Sequence, residues 1–385
     1  MGSPIDRDYL LRTLVDLVRI DSINPTLVPG GAGEAKIGEY VADSLRGAGL
    51  DVRQIEPEPG RTSVLGVVTG ARTGRTLMFN AHYDTVGVDG MQEPFSAAIR
   101  DGKLYGRGAY DMKGSLAACM AAAKALAESH ADFEGKIIVA AVADEEYVSL
   151  GTTAVIREVK ADAAIVTEPT ALDICRAHKG YLWIDVATHG RAAHGSRFQE
   201  GVDANMRMGR FLAELEKLEC DLRTRPGHPL VGPPSLHAAM ISGGTGLSTY
   251  AANCQVQIER RTVPGETEAQ AVREIQTIAD KLAHADPTFQ ASVRCFFSRE
   301  PFEIARDAEI VQIVDAAARK VLRREVRHFG DTPWMDSALL AAAGTQTVVI
   351  GPRGAGAHSA EEWVDIESVS QLAEILVEAA LNYCR

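Results

Sequence analysis

The sequence predicts an α/β domain that is interrupted by an inserted α+β module. Before Lys179, helix-like segments alternate with buried strand-like segments, which is typical of an α/β sheet with helices on both faces. After Lys179, the predicted order is β-α-β-β-α-β, which matches a ferredoxin-like module with an antiparallel sheet. Beyond Arg299 the α/β character returns, so the module is inserted into a larger α/β domain.

Hydrophobic periodicity predicts the individual elements in chain order. The first part contains helices Leu10–Arg19, Ile37–Ala48, Ser115–Ala127 and Thr152–Val159, and strands Ser63–Val68, Thr76–Asn80, Lys136–Ala143 and Ala163–Thr167. The module contains strands Tyr181–Thr188, Ser235–Ser242, Cys254–Arg261 and Phe289–Phe297, and helices Ala204–Cys220 and Thr267–Ala283. The last part contains helices Ala308–Val321, Trp334–Ala343 and Ser368–Tyr383, and strand Thr347–Ile350. We therefore expect one domain of residues 1–178 and 296–385 and an inserted domain of residues 179–295.

Composition restricts the classes of partner and location. A chain of 385 residues is longer than one hydrophobic core usually organises, which agrees with two domains. The 40 basic and 52 acidic residues give a net charge of −12, which argues against nucleic acid and anionic membranes as partners. No apolar run approaches the roughly 18 residues that span a bilayer, and the N-terminal segment lacks a signal-peptide core. The six cysteines are scattered without a C-x-x-C pair, which indicates free thiols and a cytoplasmic location.

The most informative segment is 140–146, in which an apolar strand leads directly into Asp144, Glu145 and Glu146. Adjacent ionised acids repel one another unless cations compensate their charge. A divalent metal would supply that compensation and would give adjacent acids separate tasks, one as a ligand and one as a proton carrier. Taken alone, the segment is more simply interpreted as a solvated acidic loop.

Two other segments contain residue types that bind metals. His82 and Asp84 follow a predicted strand, and residues two apart on an extended backbone face the same way, so Asp84 can accept the second ring N–H of His82. Asp111 lies in a glycine-framed turn that opens an alanine-rich helix, at the position where a dinucleotide-binding G-x-G-x-x-G pattern needs its last glycine. A carboxylate there better suits a metal, and one aspartate can bridge two ions. The alternatives are a structural histidine and a solvated turn aspartate.

The remaining candidate ligands also follow predicted strands. Glu168 ends one strand, and His358 lies in the loop after the last strand. All the candidates fall at or just beyond strand ends of one α/β domain. They are His82, Asp111, one of Glu145 and Glu146, Glu168 and His358. In open α/β sheets, sites gather along that edge. Two histidines and several carboxylates without cysteine suit a pair of zinc, cobalt or manganese ions.

With this combination of segments, the chain resembles the co-catalytic zinc amidohydrolases, which include acetylornithine deacetylase, succinyl-diaminopimelate desuccinylase, aminoacylase and glutamate-type carboxypeptidases. The resemblance covers nearly the whole chain, from His82-x-Asp84 through Asp111-Met-Lys-Gly and Asp144-Glu-Glu to His358. It implies a mixed-sheet, zinc-peptidase-like catalytic domain with an inserted ferredoxin-like lid and dimerisation domain.

The resemblance also implies two Zn²⁺ ions, for which Co²⁺ or Mn²⁺ can substitute, and a cis peptide bond between Asp111 and Met112. The implied roles are ligation of one zinc by His82 and Glu168, ligation of the other by Glu146 and His358, bridging by Asp111, general-base catalysis by Glu145, and orientation of His82 by Asp84.

In the inserted domain, the resemblance implies residues that contact substrate. His194, in segment 190–195, is similar to a family histidine that reaches into the partner's active site and polarises the scissile carbonyl, which implies a homodimer. Arg261 matches the family arginine that holds the substrate carboxylate. Because Arg260 is adjacent, a surface ion pair is the alternative for one of the two arginines.

The chain departs from the common family pattern beside these expected contacts. Many members have Asn where Ser248 stands and Pro where Ala251 stands, and the nearby Asn253 is out of register. Ser248 therefore stays a candidate substrate-binding residue, while the departures weaken the assignment to a subfamily more than the assignment to a reaction class.

Amide hydrolysis is the reaction that gives every one of these residues a task. Arg261 argues for a substrate with a free carboxylate, which N-acyl amino acids and C-terminal peptide residues both present. We expect removal of a small N-acyl group from an amino acid. The second hypothesis is a dipeptidase or carboxypeptidase of the same family. The third is a non-catalytic metal-binding regulator with this fold, which loss of Glu145 or of a ligand would indicate, and none of them is missing.

Overall fold

The computed structural model describes residues 5–128 and 133–385, which form two compact units. The second unit comprises residues 177–303 and 330–334, and the first unit comprises the other described residues. The second unit continues past residue 295, where the sequence analysis ended the inserted domain. Its last long strand, which was predicted to end at Phe297, pairs with its neighbour as far as Arg299.

The predicted helices and strands are present, with end points that differ by a few residues. The helices are α1 Arg7–Arg19, α2 Ala35–Gly47, α3 Gly114–Glu128, α4 Leu150–Glu158, α5 Ala204–Thr224, α6 Glu268–Ala285, α7 Glu309–Leu322, α8 Ser337–Ala342 and α9 Ile366–Tyr383. The strands are β1 Asp51–Ile55, β2 Ser63–Thr69, β3 Arg72–His82, β4 Ala98–Arg100, β5 Lys103–Tyr105, β6 Glu134–Val142, β7 Ala163–Val166, β8 Ile174–His178, β9 Gly180–His189, β10 Ser235–Gly243, β11 Asn253–Thr262, β12 Gln290–Arg299, β13 Phe302–Glu303, β14 His328–Asp331, β15 Gln346–Val349, β16 Gly354–Ala355 and β17 Trp363–Asp365.

A large mixed sheet carries the strands that precede the candidate ligands. Its order is β1-β2-β6-β3-β7-β15-β8-β13, and β14 pairs with β8. The four neighbouring strands β6, β3, β7 and β15 are parallel, and the pairs β1-β2, β2-β6, β15-β8 and β8-β13 are antiparallel. Parallel strands end at the same edge of a sheet, so the loops that follow these four strands meet there.

The core of the first unit surrounds helix α3. This helix is alanine-rich, and twelve of its residues are buried, because it packs against α1 and α9 and lies beside the sheet. Small side chains on α3 let these neighbours approach closely, and each large apolar side chain buried there, such as Leu17 or Phe79, stabilises the fold by about 1.5–3 kcal/mol. The strands and the turn that precede the candidate ligands are therefore anchored in a closely packed core.

The second unit is a ferredoxin-like α+β module. Its antiparallel sheet has the order β10-β11-β9-β12, and α5 and α6 pack against it. Leu182, Ile184 and Val186 alternate along β9 into the core with these helices. Edge strand β10 is exposed along most of its length and includes Met240 and Ile241.

Among the described residues, no helix combines the length and the apolar character that crossing a membrane requires.

Candidate metal centre

The carboxyl ends of the parallel strands bring seven of the predicted site residues together in the first unit. His82 is the last residue of β3, Glu145 and Glu146 follow β6, and Glu168 follows β7. His358 lies in the segment between β15 and β17. The other two, Asp84 and Asp111, reach the same place from the loop after β3 and from a turn before α3.

His82 is buried and makes contacts through both ring nitrogens. Its Nε2 lies 3.1 Å from Asp111 Oδ1 and 3.6 Å from Glu168 Oε1. Its Nδ1 lies 3.1 Å from the backbone oxygen of Asp84 and 3.6 Å from the Asp84 carboxylate. Asp84 thus stands behind the ring, but its nearest atom is the backbone carbonyl rather than the carboxylate. Burial alone would lower the pKa of His82, but hydrogen bonds to Asp111 and Asp84 outweigh burial and raise it well above its ordinary value.

The Asp84 carboxylate holds the segment that contains the two glutamates. Its Oδ1 accepts a hydrogen bond from the Glu145 amide at 3.0 Å, and its Oδ2 accepts one from the Glu146 amide at 3.3 Å and one from Asn24 Nδ2 at 2.8 Å. Burial acts to raise the pKa of Asp84, but the neighbouring His82 and these donors lower it below its ordinary value. Asp84 therefore positions both the histidine and the glutamates.

Asp111 faces both histidines with one carboxylate. It lies in the turn Ala109–Lys113, and the Asp111–Met112 peptide bond is cis, as expected. Its Oδ1 is 3.1 Å from His82 Nε2, and its Oδ2 is 3.3 Å from His358 Nε2. Burial acts to raise the pKa of Asp111, but hydrogen bonds from the two histidines lower it below its ordinary value. A carboxylate placed in this way can bind two ions at once, whereas one imidazole nitrogen can bind only one.

Glu146 and His358 form the outer part of the site. His358 Nε2 lies 3.0 Å from Glu146 Oε2, and its side chain is 55% exposed. His358 has a positive φ of 59°, a backbone conformation that few residues other than glycine adopt. Hydrogen bonds from His358 to Asp111 and Glu146 raise the pKa of this histidine to about 10.

Two overlapping sets of side chains have the geometry of a cation site. Ligand atoms of His82, Glu145 and Glu168 lie within 4.8 Å of one another, and so do those of His82, Asp111 and Glu146. Burial, together with the charges of Asp111 and Glu146, raises the pKa of Glu168 to about 8, although His82 opposes this shift. Nitrogen and oxygen donors with an excess of negative charge fit divalent ions such as zinc, cobalt or manganese.

A buried polar network behind the site was not identified from the sequence. Asn24 Nδ2 donates to Asp84 and, at 3.0 Å, to Asp144 Oδ1. Arg61 donates to Asp144 at 2.5 Å and to both carboxylate oxygens of Glu34 at 2.7 and 2.8 Å. Of the three adjacent acids, Asp144 therefore faces away from the candidate ligands and binds Arg61.

Asp336 is a second acid that the sequence analysis missed. It is 1% exposed, and its Oδ2 accepts a hydrogen bond from Thr152 Oγ1 at 2.5 Å. Its charge contributes to the raised pKa of Glu145, of which burial is the largest cause, and to that of Glu168. Asp336 directly precedes the short helix α8, and nothing in the local sequence indicated that its charge lies near Glu145 and Glu168.

The other three predicted residues lie in the second unit. His194 is exposed, its Nδ1 lies 2.8 Å from Ser196 Oγ, and its backbone pairs with Thr249. The Gly195 amide donates to the Ser248 carbonyl at 2.7 Å, so Ser248 neighbours the His194 loop.

The two adjacent arginines have different environments. Arg261 Nε donates to Glu259 Oε1 at 2.7 Å, and the Arg261 guanidinium lies 5.0 Å from the centre of the Tyr181 ring. Arg260 is buried and binds Glu266 at 2.8 Å and Glu274 at 3.2 Å. Arg260 therefore fits a structural ion pair, and Arg261 is the arginine that a ligand can approach.

Comparisons with known proteins agree with the family resemblance. A sequence model of peptidase family M20/M25/M40 matches residues 78–382. The chain is 28% identical over 384 residues to an acetylornithine deacetylase of Myxococcus xanthus, with 97% of each protein covered. It is 27% identical to an N-formyl-4-amino-5-aminomethyl-2-methylpyrimidine deformylase of Halalkalibacterium halodurans, with 96% of the chain and 94% of that protein covered.

Its fold is similar to the crystal structure of a tripeptidase of Staphylococcus aureus, with a TM-score of 0.80, 21% identity and 99% of each chain covered. At this identity the likeness concerns the fold alone.

Proposed function

The chain belongs to peptidase family M20/M25/M40, and on that premise we propose that it is an amidohydrolase that uses two divalent ions to remove a small N-acyl group from an amino acid. The observation that carries the proposal is the Asp111 carboxylate, whose two oxygens face His82 and His358 at 3.1 and 3.3 Å. Asp111 would bridge the ions, with His82 and Glu168 on one side and Glu146 and His358 on the other.

Glu145 is the residue we propose as general base. When bound, the two ions would lower the pKa of the attacking water molecule and polarise the substrate carbonyl. The Glu145 carboxylate accepts the proton that this water loses and passes it to the nitrogen of the leaving amine. The hydrogen bond from its backbone amide to Asp84 keeps Glu145 beside the ligands, and the ligands and Glu145 are all present, which argues against a non-catalytic regulator.

The chemistry of the relatives supports a small acyl group on nitrogen. The names of the two relatives above describe the removal of an acetyl and of a formyl group. We propose that Arg261 binds the carboxylate of an N-acyl amino acid, because a guanidinium binds carboxylates in a bidentate manner and this one is partly exposed. Ser248 is a further proposed contact, beside the His194 loop.

The positions of His194 and Arg261 within the second unit support a homodimer. Thr249 pairs with His194 and lies just before β11, while Arg261 lies near the other end of that strand. From Asn253 to Arg261 an extended strand covers roughly 27 Å, which is too far for one substrate to contact both side chains of the same unit. We therefore propose that His194 of the partner subunit polarises the scissile carbonyl, and that the exposed edge strand β10 pairs with a second copy.

The cellular location is also a proposal. All six cysteines are free thiols, which supports a reducing, cytoplasmic environment.

Steady-state assays test the reaction. The metal-free protein would be reloaded with Zn²⁺, Co²⁺ or Mn²⁺ and assayed against N-formyl, N-acetyl and N-succinyl amino acids, dipeptides, and an N-acetyl amine without a carboxylate. We expect kcat/KM to be highest for an N-acyl amino acid and to fall when the carboxylate is missing. Faster cleavage of dipeptides would favour a dipeptidase or carboxypeptidase, and no metal-dependent hydrolysis of any substrate would refute the proposal.

A further inference from the structure

The Glu362 carboxylate accepts four hydrogen bonds from the turn that carries Asp111. Its Oε1 accepts from the amides of Tyr110 and Asp111 at 2.9 and 3.0 Å. Its Oε2 accepts from the amide of Gly108 at 3.0 Å and from Arg107 Nη1 at 2.6 Å. Glu362 is 1% exposed, so these donors replace the water that a carboxylate otherwise binds.

Arg107 and Glu362, which bind each other, also fix the segment that carries His358. Arg107 Nη2 donates to the Ser359 carbonyl at 3.0 Å, and the Gly106 amide donates to the Glu362 carbonyl at 3.1 Å. Strand β17, which begins directly after Glu362, pairs with β5, which ends just before Gly106. Arg107 and Glu362 thus join the Asp111 turn to the His358 loop.

We propose that Glu362 is a positioning residue that holds Asp111 and His358 at the distance at which both can bind one divalent ion. The inference rests on the metal site of the proposed function. Groups that hydrogen-bond to metal ligands typically change metal affinity by about 10–100-fold when they are removed. Here the bond is to the backbone of the ligand residue itself, so a shift of the turn moves the Asp111 carboxylate directly.

Glu362→Gln isolates this role because it keeps the volume and removes one acceptor oxygen. In either orientation, the new NH₂ group faces two donors, the Tyr110 and Asp111 amides or the Gly108 amide and Arg107. Two buried N–H groups then lose their acceptor. Glu361→Gln is the matched control. Glu361 is adjacent to Glu362 but exposed, and its substitution removes the same charge.

The experiment measures metal binding without substrate. Zn²⁺ stoichiometry and affinity would be measured by competition with a chromophoric chelator, and the absorption spectrum would be recorded for the Co²⁺-loaded protein. We expect Glu362→Gln to bind one of the two ions 10–100-fold more weakly, with a changed Co²⁺ spectrum, while Glu361→Gln matches the wild type. Wild-type affinity and spectrum in Glu362→Gln, with only a lower melting temperature of the metal-free protein, would show a purely structural ion pair and overturn the inference.

Arg107→Lys provides a second test if Glu362→Gln does not fold. It keeps the buried positive charge but cannot contact Glu362 and Ser359 in the same way. We expect Arg107→Lys to weaken the binding of the same ion. Wild-type Zn²⁺ affinity in a folded Arg107→Lys protein would overturn the inference. A wild-type protein that binds no divalent ion would overturn the inference and the proposed function together. A wild-type protein that binds two ions but hydrolyses no amide would refute only the proposed function.

Discussion

The Asp84 carboxylate accepts a hydrogen bond from the Glu145 backbone amide at 3.0 Å. This contact joins the residue behind the His82 ring to the proposed general base. The Asp84 carboxylate therefore helps to determine where the segment after β6 places its two glutamates.

Substitution of Glu145 should separate chemistry from metal binding. Glu145→Ala removes the proposed proton carrier but none of the proposed metal ligands. We therefore expect two bound ions and a kcat that is at least about 100-fold lower. Metal analysis and steady-state kinetics on one preparation measure both. Glu146→Ala is the comparison and should lose metal. Loss of one metal equivalent in Glu145→Ala would show that the roles of the two glutamates are exchanged.

Asn24 should be necessary for the buried network behind the site. Its amide donates to Asp84 at 2.8 Å and to Asp144 at 3.0 Å, which separates two buried carboxylates. Asn24→Ala leaves these carboxylates without the donor, and we expect a loss of about 1–3 kcal/mol in the free energy of unfolding. Denaturant unfolding measures it, with the exposed Asn205→Ala as the control. An unchanged midpoint would mean that water replaces the amide without cost.

The adjacent arginines should respond differently to the same substitution. Arg261→Ala should raise KM for N-acyl amino acids and leave an N-acetyl amine without carboxylate unaffected, because only the carboxylate contact is removed. Arg260→Ala should instead lower stability by about 3 kcal/mol, because Glu266 and Glu274 lose a buried partner. Kinetics and denaturant unfolding of both variants give the comparison. A raised KM in Arg260→Ala alone would show that Arg260 binds the substrate carboxylate and that Arg261 has the structural role.

The positions at strand ends could be predicted from the sequence. Apolar, β-branched runs identify β3, β6 and β7, and the polar residues directly after them then fall at one edge of the sheet. The same pattern could not show that Asp144 faces Arg61 while its two neighbours face the candidate metal centre, because a turn with positive φ at Asp144 decides this.

The residues that support the candidate ligands gave no comparable signal. Glu362 and Asn24 are single polar residues whose burial depends on partners 251 and 60 positions away, Asp111 and Asp84. No local periodicity reflects such contacts. The extension of β12 to Arg299 was missed for a related reason, since pairing with β9 determines its end.

Removal of the metal should make stability depend on pH. In the metal-free protein, burial raises the pKa of Glu146 to about 7 and that of Glu168 to about 8. A carboxyl whose pKa is raised on folding binds more protons in the folded state, so its contribution is present below about pH 4.5 and is lost as the pH rises through 7 and 8. The raised pKa of His358, to about 10, acts in the same direction.

We therefore expect the metal-free protein to lose stability between pH 6 and pH 9, and the Zn²⁺-loaded protein to lose less, because the ions compensate the carboxylates. Thermal unfolding with and without a chelator measures both. Equal slopes for the two forms would mean that these groups do not hold the ions.

Activity should require two subunits if His194 acts across the dimer. His194→Ala and Glu145→Ala chains are each expected to be inactive, but a mixed dimer would contain one site with an intact Glu145 and an intact His194 from opposite chains. Statistical mixing makes half of the dimers mixed, each with one good site of two, so co-expressed chains should recover roughly a quarter of wild-type activity if the dimer has closed two-fold symmetry.

The alternative is that His194 only orders its own loop, through Ser196 and the pairing with Thr249. In that case His194→Ala would keep most of its kcat. A second alternative is that His194 serves the active site of its own chain. The mixed dimer would then contain no site with both residues, and its activity would not exceed the sum of the separate variants. Only the arrangement across the dimer predicts inactive parents and an active mixture, because only then does a mixed dimer contain a site that combines an intact Glu145 with an intact His194.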